Sequence, residues 1–263
     1  MASTDFSSYA ALEMSLLAKL HAAVGNTTAA AKWALLADQT TTKIHDSMWD
    51  DEDGFYYYML PSTTHAPPVP TTGGPYAKMG TAVSPVGRSS MAGSNDSIVT
   101  PGNAQFHKVK TPSGFAPLLL DGVPPERVAR LIQHLQNASE FGTKQPLPSV
   151  SADHPAYSTN MWRGAQWINI NFLTILGLRK YAHIPGALDA AAVLQKAAVA
   201  AVADGYFKYG VPFEFYDSRG VEPPTTLERK GNKRSGGVRD YHWTSALVFW
   251  MLYNENGTLP DVS

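Results

Sequence analysis

Apolar residues recur at helical spacing along most of the chain. In residues 5–24 they follow one stripe, which predicts a helix with one buried face: Tyr9, Leu12, Leu16, Leu17, Leu20 and Val24. A second helical pattern starts near Thr28 after a short connection, so we expect an antiparallel helical hairpin. Helical patterns return over residues 113–137, 161–183, 187–203 and 242–254, and strand-like alternation is confined to short runs. The chain is therefore predicted to be all-α, with about seven helices.

Residues 61–105 have a different composition. They contain seven prolines, six glycines and only three charged residues. Such a segment buries too little apolar surface to offset the entropy lost on ordering. We therefore expect an irregular insertion at about 61–105, within a single domain that spans residues 1–263.

Composition and charge argue against several classes of function. The formal net charge is −1, which gives no general attraction to nucleic acid or to an anionic membrane. The chain has no cysteine, hence no disulfide and no thiolate metal site. The acidic run in residues 49–56 lacks the ligand spacing of an EF-hand, so we expect a solvated turn and neither a metal nor a cofactor. The sequence has neither the pattern of a signal peptide nor that of a transmembrane helix, so the compartment stays open.

Residues 161–172 concentrate groups that suit a sugar-binding site. Trp162, Arg163, Trp167, Asn169 and Asn171 all lie in this segment. Tryptophan offers a flat face to a sugar ring, whereas arginine and asparagine bind hydroxyl groups. The two asparagines cannot both face apolar neighbours without hydrogen-bond partners. A buried helix start, with the polar side chains tying down adjacent loops, is the alternative explanation.

Glu214 is the candidate catalytic carboxylate. It lies between Phe213 and Phe215 in a predicted loop, and aromatic surroundings can adapt a carboxylate to acid–base work. A glutamate that forms a salt bridge or caps a helix is the alternative, and for an isolated glutamate the commoner one. The basic run in residues 229–239 is predicted to be a solvated loop. Four further aromatic candidates lie in short motifs near helix starts and loops: Phe115, Tyr216, Tyr241 and Trp243.

The order of these motifs resembles glycoside hydrolase family 63. Asp5, the segments at 49–56, 114–118 and 162–171, Glu214 to Asp217, and the last helix from Trp243 follow the family pattern in sequence. The resemblance implies an (α/α)6 barrel and an inverting hydrolase in which Glu214 is the general base. It further implies that a sugar subsite is lined by Trp162, Arg163 and Trp167. Because a base must reach a water beside the bound sugar, we expect these side chains and Glu214 to converge on one concave face, with the carboxylate pointing into it.

One departure from the family pattern is serious. The general acid of the family lies in a Ser-Gly-x-Asp segment that this sequence does not contain, and Asp5 matches a later aspartate at a helix start. About seven helices also fall short of the twelve in an (α/α)6 barrel. The resemblance therefore predicts a barrel incomplete at its N-terminus, whose partner is the missing part of the same barrel, and a first helix with an exposed apolar flank.

Two functions remain open at this point. One is hydrolysis of an α-linked glucoside or mannoside, either a small glycoside such as mannosylglycerate or glucosylglycerate, or a glucosylated oligosaccharide. The other is a non-catalytic carbohydrate-binding or scaffold protein of the same fold.

Overall fold

Helical hairpins form most of the chain, as the apolar spacing predicts. The computed structural model describes residues 2–60, 105–232 and 235–254. The described helices are α1 (Thr4–Ala23), α2 (Thr27–Ser47), α3 (Pro125–Gln136), α4 (Ile168–Lys180), α5 (Ala187–Tyr209) and α6 (His242–Tyr253), with 3-10 helices at Pro112–Leu119 and Met161–Arg163. The all-α prediction is confirmed. The predicted insertion at 61–105 lies outside the described residues except for Gln105.

Two small antiparallel sheets accompany the helices. Strand β1 (Trp49–Asp50) pairs with β2 (Phe55–Tyr56), and β3 (Tyr58–Leu60) pairs with β4 (Gln105–His107). The turn between β1 and β2 was predicted to be solvated, but the Asp50 side chain is buried and pairs with Lys108 Nζ at 2.8 Å. Lys108 also binds Asp53 Oδ2 at 3.0 Å. The prediction holds for Asp51 and Glu52, which are exposed, and is wrong for Asp50. Local sequence did not show this, because Lys108 lies 55 residues beyond Asp53 in the chain.

The first hairpin turns at Gly25, whose φ of +77° suits glycine. Asn26 then caps α2, because its side-chain oxygen accepts a hydrogen bond from the Ala29 N–H at 3.1 Å. The second hairpin joins α4 to α5 through Gly186, at φ +85°. Helix α5 was predicted over residues 187–203 but continues through Gly205 to Tyr209. A Cβ at Gly205 would lie 3.1 Å from the Tyr216 ring, so this glycine serves close packing inside the helix.

The 3-10 helix Pro112–Leu119 lies at the centre of the molecule, between α1 and α4. Its Phe115 ring contacts Phe55 and Phe141 at centroid distances of 5.3 and 5.0 Å. Helix α4 approaches it closely at Gly177, where a Cβ would lie 2.6 Å from Leu118 Cβ. The 3-10 helix thus packs against both α1 and α4.

Helix α1 buries the face opposite to the one predicted. Its buried residues are small: Thr4, Ser8, Ala11 and Ala18. Leu20 and Val24 of the predicted stripe are 63% and 78% exposed. Small side chains let α1 approach its neighbours closely, whereas Leu16 and Leu20 lie on the outside. The exposed apolar flank expected for an incomplete barrel is therefore confirmed.

Helix α6 also has an uncovered apolar face. It is hydrophobic on all sides, a composition typical of a helix that is surrounded by other elements. Yet Phe249 and Tyr253 are 71% and 82% exposed, and their rings stack with centroids 6.4 Å apart. Only Thr244, Val248 and Met251 of this helix are buried.

Candidate active site

A cavity of about 710 Å³ opens between the start of α1, the central 3-10 helix and the start of α4. Aromatic and small polar side chains dominate its wall. Four of the predicted site residues belong to that wall: Phe115, Trp162, Asn169 and Trp243. The volume and the aromatic lining suit a small organic ligand, and tryptophan faces suit a sugar ring.

Trp162 is the exposed platform of the cavity. Its ring lies parallel to that of Trp167, with centroids 3.7 Å apart and 6° between the planes. Trp162 is 49% exposed, whereas Trp167 is 4% exposed and contacts Phe215 at 5.2 Å. Trp162 is therefore the ring that a ligand can reach, and Trp167 supports it from behind.

An irregular turn holds this platform in place. Residues 161–167 were predicted to be helical, but α4 starts only at Ile168. Met161 has φ +33°, a strained backbone conformation for a residue with a side chain. Its N–H donates to Glu228 O at 3.0 Å, and its carbonyl accepts from Ser149 Oγ and from Trp167 Nε1 at 3.1 and 3.2 Å. These contacts over-determine the turn and fix the direction of Trp162.

Gly164 explains why a helix cannot start earlier. A Cβ at this position would lie 2.3 Å from Ser158 O, so the backbone here packs against the preceding loop. The next residues pair with two other segments: Gln166 forms isolated bridges with Pro148 and with Tyr216. The backbone groups of Gln166 bond to these neighbouring segments and so cannot form helical hydrogen bonds. The spacing of apolar residues in 161–167 therefore predicts a helix that does not form.

Glu214 is the chain neighbour of Phe215, whose ring contacts Trp167. It precedes Phe215, and Tyr216 exchanges two backbone hydrogen bonds with Gln166, at 2.8 and 3.0 Å. The Glu214 carboxylate is nearly buried, and its Oε2 accepts from Arg229 Nε at 3.1 Å and from the Val238 N–H at 3.3 Å. Arg229 was predicted to lie in a solvated loop, and this ion pair corrects that prediction. Glu214 was expected to point into the cavity, but it does not form part of the cavity wall.

The other predicted residues are divided between the interior and the surface. Asn171 is fully buried and its Nδ2 donates to Trp167 O at 3.0 Å, so it secures the start of α4. Tyr216 is buried too, and its hydroxyl accepts from the Phe213 N–H at 2.9 Å. Arg163 is exposed and Tyr241 is half-buried, and neither lines the cavity. The alternative explanation given above, side chains that tie down a helix start, therefore describes Asn171.

The wall also contains a carboxylate that sequence reasoning did not assign to the site. Asp5, in the first turn of α1, lies beside the hydroxyls of Tyr58 and Ser113. Tyr9 lines the same side of the cavity, and burial, followed by the nearby Asp5 charge, raises the pKa of Tyr9 to about 12. The sequence signal was the aspartate at the helix start, but only the fold shows that it faces a cavity.

Two kinds of feature are missing from the described residues. Within 2–60, 105–232 and 235–254 there is no group of three or more His, Cys, Asp or Glu side chains that could hold a metal ion. None of the helices seen in those ranges has the length and hydrophobicity needed to cross a membrane.

Comparison with known proteins identifies the family. The sequence model of the mannosylglycerate hydrolase MGH1-like glycoside hydrolase domain matches residues 1–244. The chain belongs to this glycoside hydrolase family. A mannosylglycerate hydrolase of Thermus thermophilus is 33% identical over 146 residues, which are 54% of this chain and 29% of that protein. The resemblance to family 63 is thus confirmed.

Solved structures show the same fold. A GH63 mannosylglycerate hydrolase from a second Thermus thermophilus strain, crystallised with glucose, superimposes with a TM-score of 0.60 at 20% identity, over 94% of this chain and 47% of that one. Neutral trehalase Nth1 from Saccharomyces cerevisiae gives a TM-score of 0.60 at 15% identity, over 95% of this chain and 37% of that one. Both are (α/α)6-barrel enzymes. This glycoside hydrolase chain spans less than half the length of each of these structures and under a third of the curated mannosylglycerate hydrolase.

Proposed function

We propose that this chain supplies the sugar-binding and base-bearing part of an inverting glycosidase that acts on an α-linked glucoside or mannoside. One observation carries the proposal: the exposed Trp162 platform is joined through Trp167 and Phe215 to the nearly buried Glu214. A sugar ring on the platform would thus be held at a fixed position relative to the carboxylate. Fixed geometry of this kind is what a base acting on a water molecule requires.

In this proposal Glu214 is the general base. Its Oε2 is held by Arg229 and by the Val238 N–H, which orient the carboxylate. Water activation would fall to the other oxygen, Oε1, because both of these contacts are made by Oε2. Inversion requires a second carboxyl group about 6.5–9.5 Å from the base, with the water between the base and the sugar.

The general acid is proposed to come from a segment that this sequence does not contain. Asp5 is the one carboxylate among the described wall residues, and four hydrogen bonds hold it. All four of these hydrogen bonds are donated to the carboxylate, so it serves to hold the start of α1. A Ser-Gly-x-Asp segment, typical of family 63, would provide the acid and further wall. Small glycosides such as mannosylglycerate or glucosylglycerate fit the cavity volume, and a glucosylated oligosaccharide is the larger alternative.

A non-catalytic carbohydrate-binding role is the second candidate. The observation in its favour is the position of Glu214, which is ion-paired with Arg229 and lies outside the cavity wall. A protein that binds sugar without hydrolysing it needs the tryptophan platform and no accessible base.

Hydrolysis assays separate the two candidates. Mannosylglycerate, glucosylglycerate and a glucosylated oligosaccharide should be tested with this chain and with a longer version that restores a Ser-Gly-x-Asp segment. Because loss of a positioned acid costs about 10²–10⁴-fold in rate, we expect no appreciable turnover by the chain alone and clear turnover by the longer version. Glu214→Gln should abolish that turnover, whereas Glu13→Gln on the exposed side of α1 should preserve it.

Two other results would change the conclusion. Sugar binding without turnover in both versions would favour the carbohydrate-binding role. Robust turnover by the short chain, lost in Glu214→Gln, would show that the acid lies within these residues.

A further inference from the structure

The carboxylate of Asp5 and two hydroxyl groups meet at one corner of the cavity. Tyr58 OH donates to Asp5 Oδ1 at 3.1 Å, and Ser113 Oγ donates to Asp5 Oδ2 at 3.0 Å. The two hydroxyl oxygens are themselves 2.8 Å apart. All three side chains are half-buried and line the cavity. The residues come from α1, β3 and the central 3-10 helix, so three separate elements fix the corner.

This corner can accept a further hydrogen bond. Asp5 Oδ1 receives bonds from Ser3 Oγ, from the Phe6 N–H and from Tyr58, whereas Oδ2 receives one, from Ser113. Oδ2 has fewer donors than Oδ1 and keeps a lone pair for one more. The contacts of Tyr58 with Asp5, of Ser113 with Asp5 and of Tyr58 with Ser113 share only two hydroxyl protons. A donor that binds Oδ2 would take the place of the Ser113 proton there and leave Ser113 free to donate to Tyr58.

The charge of the wall limits what that donor can be. Among the described wall residues Asp5 is the one charged side chain, and none is a lysine, arginine or histidine. An anionic group would meet the Asp5 carboxylate in a partly desolvated cavity whose described wall has no cationic side chain, and this is unfavourable. A neutral hydroxyl would instead form a charge-assisted hydrogen bond to Oδ2. Burial raises the pKa of Tyr58, so its hydroxyl stays a neutral donor over the working pH range.

We propose that Asp5, Tyr58 and Ser113 form a hydroxyl-recognition corner that binds the neutral glycosyl ring and excludes an anionic aglycone. The inference rests on the proposed function, because it assumes that the cavity takes a carbohydrate. It adds an orientation: the ring hydroxyls face α1, and an acidic aglycone such as glycerate must lie away from this corner.

Calorimetric titration of the 263-residue chain with methyl α-D-mannoside and methyl α-D-glucoside tests the corner directly. A hydrogen bond to a charged acceptor contributes enough that Asp5→Asn should weaken binding of the preferred glycoside by about tenfold or more. Glu13→Gln removes a carboxylate from the same helix on its exposed side, and it should leave the affinity unchanged. D-Glycerate should not displace the glycoside from the unmodified chain.

A set of monodeoxy methyl glycosides distinguishes direct binding of a ligand hydroxyl by Asp5 from a purely structural role of Asp5. If Asp5 binds a ligand hydroxyl, the one deoxy sugar that lacks this hydroxyl should bind Asp5→Asn and the unmodified chain equally. The milder variants Ser113→Ala and Tyr58→Phe, checked for an unchanged thermal midpoint, should show the same selective loss. Equal weakening of every sugar in the set would overturn the corner and leave the proposed function standing. No binding of either glycoside to the unmodified chain would overturn both, and displacement by D-glycerate would overturn the exclusion of anions.

Discussion

Replacing Trp162 and Trp167 singly by alanine should separate sugar binding from stability. Trp167 is buried between Trp162 and Phe215, so its truncation leaves a large cavity and should cost about 3–5 kcal/mol in the free energy of unfolding. Trp162 is half-exposed and loses chiefly one ring contact, so Trp162→Ala should cost only about 1–2 kcal/mol. Trp162→Ala should therefore weaken ligand binding while costing much less stability than Trp167→Ala.

Urea denaturation and calorimetric titration with methyl α-D-mannoside measure the two effects. A stacked ring contributes about 0.5–1.5 kcal/mol beyond its buried area, so Trp162→Ala should weaken binding about two- to tenfold. Phe249→Ala is the matched control, because it removes an exposed aromatic ring from α6 outside the cavity wall. The platform interpretation fails if Trp162→Ala binds the sugar like the unmodified chain, or if it destabilises the fold as much as Trp167→Ala.

Two further predictions concern stability. Gly177→Ala should destabilise the fold by about 1–3 kcal/mol, because the new Cβ would lie 2.6 Å from Leu118 Cβ. The loss in urea denaturation should shrink in a Leu118→Gly background, which removes that Cβ, and an additive loss would refute the clash. His45 should make stability fall in acid. Burial, assisted by Arg127, lowers the pKa of His45, so its contribution is complete above the unfolded value near 6.5 and is lost as the pH falls through the folded value. Urea midpoints at about pH 7.5 and 5.5 should differ less in His45→Gln, and an unchanged difference would exclude His45 as the cause.

The helices were predictable because apolar spacing and turn residues act locally. The hairpin of α1 and α2 follows from Gly25 and Asn26 alone. Which face of α1 is buried did not follow, because the choice depends on how closely neighbouring elements approach. Small residues such as Ser8 and Ala11 permit that approach. A prediction based on hydrophobic spacing overlooks them, because their side chains are only weakly hydrophobic or polar.

The site was predictable in part. Trp162 and Asn169 reach the cavity wall, as the concentration of sugar-binding residues in 161–172 indicated. Asn171 instead bonds to the backbone at the helix start. The direction of its side chain could not be predicted, because the turn before α4 is irregular. The Asp5 corner depends on contacts across 53 and 108 residues, which no local pattern records.

Because the aromatic face of α6 is exposed, the stability of this chain depends on what binds to that face. Any molecule that covers Phe249 and Tyr253 in the folded state, and has no affinity for the unfolded chain, adds its binding free energy to folding. At one hundred times its dissociation constant that addition is about 2.7 kcal/mol, comparable with the cost of most point mutations. Denaturation midpoints of this chain are therefore expected to shift with protein concentration and with added partners, and variants should be compared only at matched concentrations.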